Sequence, residues 1–125
     1  MERLKGLKPE RVFYYFEKIC SIPHGSGNQD AISEFCVNFA AEHSLKCVRD
    51  NANNVVIYKD GTGAGKGASP IILQGHIDMV CQKVPGSDFD FEKSGLDIYT
   101  DGDFIKAKGT TLGADNGIAV AMILA

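Results

Sequence analysis

The last eight residues of the chain, Ile118 to Ala125, are all apolar. A helix with apolar side chains on every face is stable only when it is buried all round, so this segment requires packed neighbours on more than one side. We expect a buried helix that starts near Asp115 and continues from Ile118. Because the sequence stops inside it without a glycine cap or a basic last turn, we expect residues 1–125 to be the N-terminal piece of a longer protein.

Composition excludes several classes of protein. The apolar fraction of 44% is sufficient for a core, and 13 basic residues against 16 acidic ones give a net charge of -3. This balance excludes charge-driven nucleic-acid binding and a polybasic membrane patch, and no apolar stretch is long enough to span a bilayer. The N-terminus lacks the apolar segment of a signal peptide, and the four cysteines form no C-x-x-C pair. We expect a reduced, cytoplasmic protein with no nucleic-acid or membrane partner.

Two amphipathic helices are predicted in the first third of the chain. One begins at Pro9 and ends at residues 21–23, and the second ends near residues 43–44. Their apolar stripes consist of Val12, Phe13, Phe16, Ile19 and Cys20 in the first helix, and of Ile32, Phe35, Cys36, Phe39 and Ala40 in the second.

Short β-rich runs follow the helices. Residues 45–49 and 55–58 flank a turn cluster, and residues 96–100 and 104–107 flank Asp101-Gly102, a two-residue hairpin signal. Ile71-Ile72-Leu73 is a continuous apolar run, which is typical of a strand buried on both faces. Helices and strands in this order predict an α/β fold, in which helices cover a mixed sheet.

The tripeptide His76-Ile77-Asp78 directly follows the predicted buried strand, which would extend from Ile71 to Gly75. Ligands gather beyond the carboxyl ends of strands in open α/β sheets, and residues two apart in an extended segment point the same way. A metal-bound imidazole usually donates its other N–H to a carboxylate, so His76 and Asp78 form a candidate site. The alternative is a strand-end histidine that an aspartate holds for structural reasons alone.

Asp115 follows a stretch rich in glycine and threonine, residues 109–113. An aspartate at a helix start is ordinarily an N-cap, which is the structural interpretation of Asp115. The glycines before it indicate a backbone that packs closely against a neighbouring group. A carboxylate beside a cation fits this position as well as an N-cap does. Catalytic zinc usually takes three protein ligands, so one histidine and one aspartate do not complete a metal site.

Residues 73–80 (LQGHIDMV) together with residues 109–117 (GTTLGADNG) closely resemble the M20 family of metallopeptidases, in particular its aminoacyl-histidine (Xaa-His) dipeptidase branch. The resemblance extends over nearly the whole chain and includes the Ser26-Gly27-Asn28 turn. It implies that the chain, as a single domain segment 1–125, is the front part of a zinc-aminopeptidase-like (phosphorylase/hydrolase-like) catalytic domain.

The resemblance also implies roles for single residues. His76 and Asp115 would be metal ligands, with Asp115 bridging two ions, and Asp78 would orient His76; the Asp115-Asn116 peptide bond would be cis. The cofactor would be zinc, as two divalent ions, with manganese or cobalt as alternatives. The substrate would be a dipeptide, and the reaction its hydrolysis by a metal-activated water. The family's general base, in a Glu-Glu pair, and its remaining ligands would lie beyond Ala125, so the 125 residues alone are expected to be inactive.

Two other functions remain open at this point. The chain could be a non-catalytic α/β interaction module, or part of another M20 hydrolase such as an aminoacylase or a deacetylase. The uncovered apolar helix also leads us to expect a homo-oligomer or self-association.

Overall fold

The computed structural model describes residues 2–125, which form two units: residues 2–32 with 74–125, and residues 33–73. The elements are α1 (Glu10–Cys20), α2 (Asp30–Glu42), β1 (Lys46–Arg49), β2 (Val55–Tyr58), a short 3-10 turn (Gly63–Gly65), β3 (Ile98–Asp101), β4 (Phe104–Ala107) and α3 (Ala114–Leu124). Antiparallel pairs join β1 to β2 and β3 to β4, and a parallel bridge joins Gly25 to Met79. Among residues 2–125, the helices lack the length and apolar character that a transmembrane span requires.

The core of the first unit lies between α1 and α3. Phe16 of α1 is 2% exposed, and a Cβ built on Gly117 of α3 would lie 3.5 Å from its ring. The small residue on α3 therefore lets the two helices approach closely. The prediction of a helix after Pro9 with a buried stripe is confirmed. The buried residues of the two helices are Tyr15, Phe16, Ile19 and Cys20 on α1, and Gly117, Val120, Ala121 and Leu124 on α3.

The expectation that the last helix is buried on every face is wrong for this structure. Met122 is 61% exposed and Ile123 is 38% exposed. The physical reason is that α1 covers one side of α3, whereas the side carrying Met122 has no comparable cover among residues 2–125. An all-apolar sequence indicates that a helix can be buried on every face. It does not indicate how many of those faces the rest of the chain covers.

The second hairpin forms where the sequence predicts it, but its loop is shifted by one residue. Asp101 pairs with Phe104, so the two loop residues are Gly102 and Asp103 rather than Asp101 and Gly102. Gly102 has a φ of 58°, and glycine at the first position of a two-residue loop supplies a positive φ without steric cost.

The second unit pairs most of α2 with the β1–β2 hairpin. The Ser33 hydroxyl, fully buried on α2, donates to the Asn53 carbonyl in the hairpin turn at 3.1 Å. The Arg49 guanidinium at the end of β1 contacts the Glu34 carboxylate at 2.6 Å. These contacts attach the turn to the helix, and both predicted strands of the hairpin are confirmed.

The predicted buried strand at Ile71–Leu73 is absent from the structure. Ile71, Ile72 and Leu73 are 83%, 91% and 65% exposed, and none of them belongs to a strand. A strand buried on both faces requires neighbouring strands to accept its backbone hydrogen bonds, and no strand among residues 2–125 pairs with this run. The prediction of a buried strand at residues 71–73 is therefore wrong for this structure.

Candidate functional site

The segment that carries the His-x-Asp motif passes alongside α3. A Cβ added to Gly75 would lie 3.2 Å from Val120 Cγ2, and one added to Gly113 would lie 2.9 Å from Met79 Sδ. Met79 is 2% exposed. Close packing at both ends therefore holds the segment against the start and the middle of α3, within the first unit.

His76 and Asp78 lie together, as their spacing predicts. His76 Nδ1 is 3.1 Å from Asp78 Oδ1 and 3.0 Å from the Asp78 carbonyl oxygen. The His76 side chain remains 46% exposed. Asp78 therefore fixes one ring nitrogen of His76, while the imidazole remains accessible from solvent.

Asp115 contacts the other ring nitrogen of His76. Its Oδ1 lies 3.1 Å from His76 Nε2, although the two residues are 39 positions apart in sequence. The Asp115 side chain is 97% exposed. Both nitrogens of His76 thus face a carboxylate, and the outer carboxylate is open to solvent.

The interpretation of Asp115 as a helix N-cap is wrong. Gly113 occupies the N-cap position with a φ of 70°, and no side chain caps the helix. Asp115 and Asn116 have non-helical dihedral angles, and the bond between them is cis, as the resemblance implies. The Asp115 carboxylate lies against His76 Nε2 and makes no cap hydrogen bond to the helix.

Electrostatics favour charged groups at this site. Partial burial lowers the pKa of His76, but hydrogen bonds with Asp115 and Asp78 outweigh burial and place the pKa above its ordinary value. A hydrogen bond from Ser26 is the largest influence on Asp78, and the pKa of this carboxyl lies below its usual range. Asp78 is therefore a carboxylate at neutral pH, and its Oδ1 can accept a hydrogen bond from His76 Nδ1–H.

Thr111 links the segment that carries His76 and Asp78 to the segment that precedes Asp115. Its hydroxyl donates to the Val80 carbonyl at 2.7 Å, and the Gln82 amide donates to that hydroxyl at 3.2 Å. The Thr111 amide in turn donates to the Gln82 carbonyl at 2.9 Å. Thr111 therefore fixes the backbone of residues 80–82 relative to the segment that precedes Asp115.

Sequence reasoning missed one contact at the site. The Ser26 hydroxyl lies 2.6 Å from Asp78 Oδ2, although nothing in the sequence links positions 26 and 78 beyond the presence of both in the resemblance. Cys81 lies three residues beyond Asp78 in the sequence. Burial raises the pKa of the Cys81 thiol, which favours the inert protonated form.

The donor atoms fit a divalent metal ion. Imidazole nitrogen and carboxylate oxygen are both ligands that zinc takes, and two ligands of one tetrahedral zinc lie about 3.4 Å apart. The 3.1 Å between His76 Nε2 and Asp115 Oδ1 is close to that separation. Among residues 2–125, however, no group of three or more His, Cys, Asp or Glu side chains is arranged to hold a metal. The described residues thus supply two candidate ligands and not a complete site.

Comparison with known proteins reveals relatives over the whole chain. The chain is 42% identical to the cytosol non-specific dipeptidase of Escherichia coli over 125 residues, which is 100% of this chain and 26% of that protein. The crystal structure of an aminoacylhistidine dipeptidase from Vibrio alginolyticus matches with a TM-score of 0.91 and 43% identity, over 95% of this chain and 24% of that one. No family model matches the sequence.

These matches confirm the resemblance and the α/β fold class drawn from the sequence. The chain spans about a quarter of the length of the relatives that it matches.

Proposed function

We propose, from the premise that this chain is a homologue of aminoacyl-histidine and non-specific dipeptidases, that its residues form part of the catalytic site of a metal-dependent dipeptidase. The substrates would be dipeptides of the Xaa-His type, and the reaction would be hydrolysis of their peptide bond. In this proposal, residues 1–125 are the N-terminal part of the catalytic domain.

The observation that supports this proposal is the placement of both nitrogens of His76 between two carboxylates. His76 Nε2 and Asp115 Oδ1 would hold a divalent metal, and Asp78 would keep His76 oriented through Nδ1. Two zinc ions are proposed, with manganese or cobalt as alternatives. When bound, the metals would lower the pKa of a water molecule and polarise the scissile carbonyl.

The general base is proposed to come from outside residues 1–125. The resemblance implies a glutamate from a Glu-Glu pair, and these residues contain no such pair. A metal-activated water without a positioned base reacts slowly, since general acid–base catalysis contributes about 10²- to 10⁴-fold. We therefore expect no measurable dipeptide hydrolysis by the 125-residue chain alone.

A chimera tests the function. Residues 1–125 would replace the matched segment of the Escherichia coli dipeptidase, and hydrolysis of Xaa-His dipeptides would be measured with excess zinc, manganese or cobalt. We expect kcat/KM within about tenfold of the parent enzyme, because a segment that is 42% identical over its whole length should fit the remainder of that enzyme without a change of fold.

The control is the same chimera without added metal and with a chelator, which should be inactive. A folded chimera that binds two metal ions and hydrolyses no dipeptide would contradict the proposal. A folded chimera that binds no metal would support instead the non-catalytic α/β module that the sequence leaves open.

We further propose that the protein acts in the cytoplasm. A relative over the full chain is named as a cytosolic enzyme, and all four cysteines of this chain are free. Free thiols are the usual state in a reducing compartment.

Self-association of the 125-residue chain is the next expected outcome. Ile71 and Ile72 are more than four-fifths exposed, and consecutive exposed apolar residues with unpaired backbone groups favour pairing between chains. Light scattering should show a mass that rises with concentration, and Ile72→Lys should reduce it. Exposed Lys59→Ala is the matched control and should leave the mass unchanged. A concentration-independent monomer would contradict this prediction.

A further inference from the structure

The turn formed by residues 24–28 is attached to the segment that carries Asp78. The Met79 amide donates to the His24 carbonyl at 3.0 Å, and the Ser26 amide donates to the Met79 carbonyl at 3.1 Å. His24 is 3% exposed, and its Nδ1 lies 2.6 Å from the Ile22 carbonyl oxygen. Two backbone hydrogen bonds and a buried ring therefore fix the position of Ser26 relative to Asp78.

The carboxylate of Asp78 is held at both of its oxygens. Oδ2 accepts the Ser26 hydroxyl at 2.6 Å, and Oδ1 lies 3.1 Å from His76 Nδ1. Rotation of this carboxylate about its Cβ–Cγ bond would break both contacts. The Ser26 side chain is exposed, and the other acceptor of its hydroxyl is the Met79 carbonyl at 3.3 Å. Its strongest contact is thus with the residue that orients His76.

We propose that Ser26 is a positioning residue: its hydroxyl fixes the Asp78 carboxylate, which in turn fixes the His76 ring in the orientation that presents Nε2 to Asp115. The role rests on the proposed function, because the orientation of His76 matters for activity only if Nε2 binds a metal. The geometry itself is present without a metal, and it is therefore tested separately.

The first test measures the His76 ring in the metal-free chain. Long-range ¹H–¹⁵N NMR of the 125-residue chain reports the two ring nitrogens of each histidine. Ser26→Ala should shift the His76 Nδ1 signal and speed exchange of its proton with water by about threefold or more. Ser26→Thr, which keeps a hydroxyl, should restore the parental signal. Ser21→Ala, which removes a hydroxyl that donates to Lys18 at the end of α1, should leave His76 unchanged.

The second test measures zinc affinity through the same His76 signals. Removing a direct outer-sphere partner of a metal ligand typically costs 10- to 100-fold in affinity. Ser26 contacts Asp78 and not the ligand His76 itself. Ser26→Ala should therefore weaken zinc binding by a smaller factor, about 3- to 10-fold. In an Asp78→Ala background the same substitution should have no further effect, because a residue that acts only through Asp78 has nothing left to position.

Each outcome decides between the proposals. An unchanged His76 spectrum in Ser26→Ala, or a full additional loss in the Asp78→Ala background, would overturn the role of Ser26. If the chimera with the Escherichia coli dipeptidase binds no metal, the proposed function fails. If only the 125-residue chain binds no zinc, its two ligands are too few to hold the ion. In both cases the metal-free spectra still decide the role of Ser26. If circular dichroism shows that Ser26→Ala is unfolded, Ser26→Cys, a smaller change with a weaker donor, replaces it in both tests.

Discussion

Replacing His76 with alanine is expected to lower kcat/KM of the dipeptidase chimera by more than about 100-fold. Loss of an outer-sphere partner of a ligand already costs 10- to 100-fold in activity or metal affinity, and His76 supplies the only nitrogen donor of the candidate pair. The measurement is steady-state hydrolysis of a Xaa-His dipeptide, together with the zinc content of the purified chimera. Both activity and zinc content should fall.

His43→Ala is the matched control for this prediction. His43 follows α2 in the other unit, and its Nδ1 lies 2.9 Å from the Phe39 carbonyl oxygen. Its loss should leave activity within about twofold of the parent chimera, since surface substitutions away from a site have small effects. A His76→Ala chimera with parental activity and zinc content would show that the contacts of His76 with Asp78 and Asp115 are structural only.

Replacing Phe16 with alanine is expected to cost about 3–5 kcal/mol of unfolding free energy. Phe16 is 2% exposed between α1 and Gly117 of α3, so the truncation leaves a cavity between the two helices. The free energy of unfolding of a domain of this size is only about 5–15 kcal/mol. The substitution therefore removes a large share of that stability. Because α3 carries Asp115, the contact between His76 and Asp115 should weaken as well. Urea unfolding followed by circular dichroism measures the first effect, and the His76 NMR signals measure the second.

Tyr14→Ala is the control on the same helix. Tyr14 is 55% exposed and lies outside the interface with α3. Its truncation should change the unfolding free energy by about 0.5 kcal/mol or less. If Phe16→Ala and Tyr14→Ala destabilise the chain equally, the contact between α1 and α3 is not what supports the site.

Local patterns in the sequence predicted much of this structure. The spacing of Phe16, Ile19 and Cys20 defines the buried face of α1, and the turn cluster at residues 50–54 defines the first hairpin. Both features depend on neighbours a few residues apart, which sequence periodicity reports directly. The approach of Asp115 to His76 is a long-range feature, and it was predicted from motifs that the dipeptidase resemblance brings together.

Long-range packing could not be predicted from the same patterns. Ile71–Leu73 has the composition of a central strand, but burial depends on partner strands that composition does not reveal. The exposed face of α3 has the same cause. The contact between Ser26 and Asp78 joins positions 52 residues apart. A serine in a turn has many ordinary roles, and only the three-dimensional arrangement identifies its partner.

The most direct test of the proposed metal pair is a zinc titration of the 125-residue chain that records the ring nitrogens of all three histidines. If His76 and Asp115 jointly hold the ion, zinc should shift the His76 Nε2 signal before it shifts those of His24 and His43, and it should bind at least about tenfold more weakly to Asp115→Ala. Zinc that shifts His24 or His43 first, or that binds Asp115→Ala as tightly as the parent chain, would contradict it.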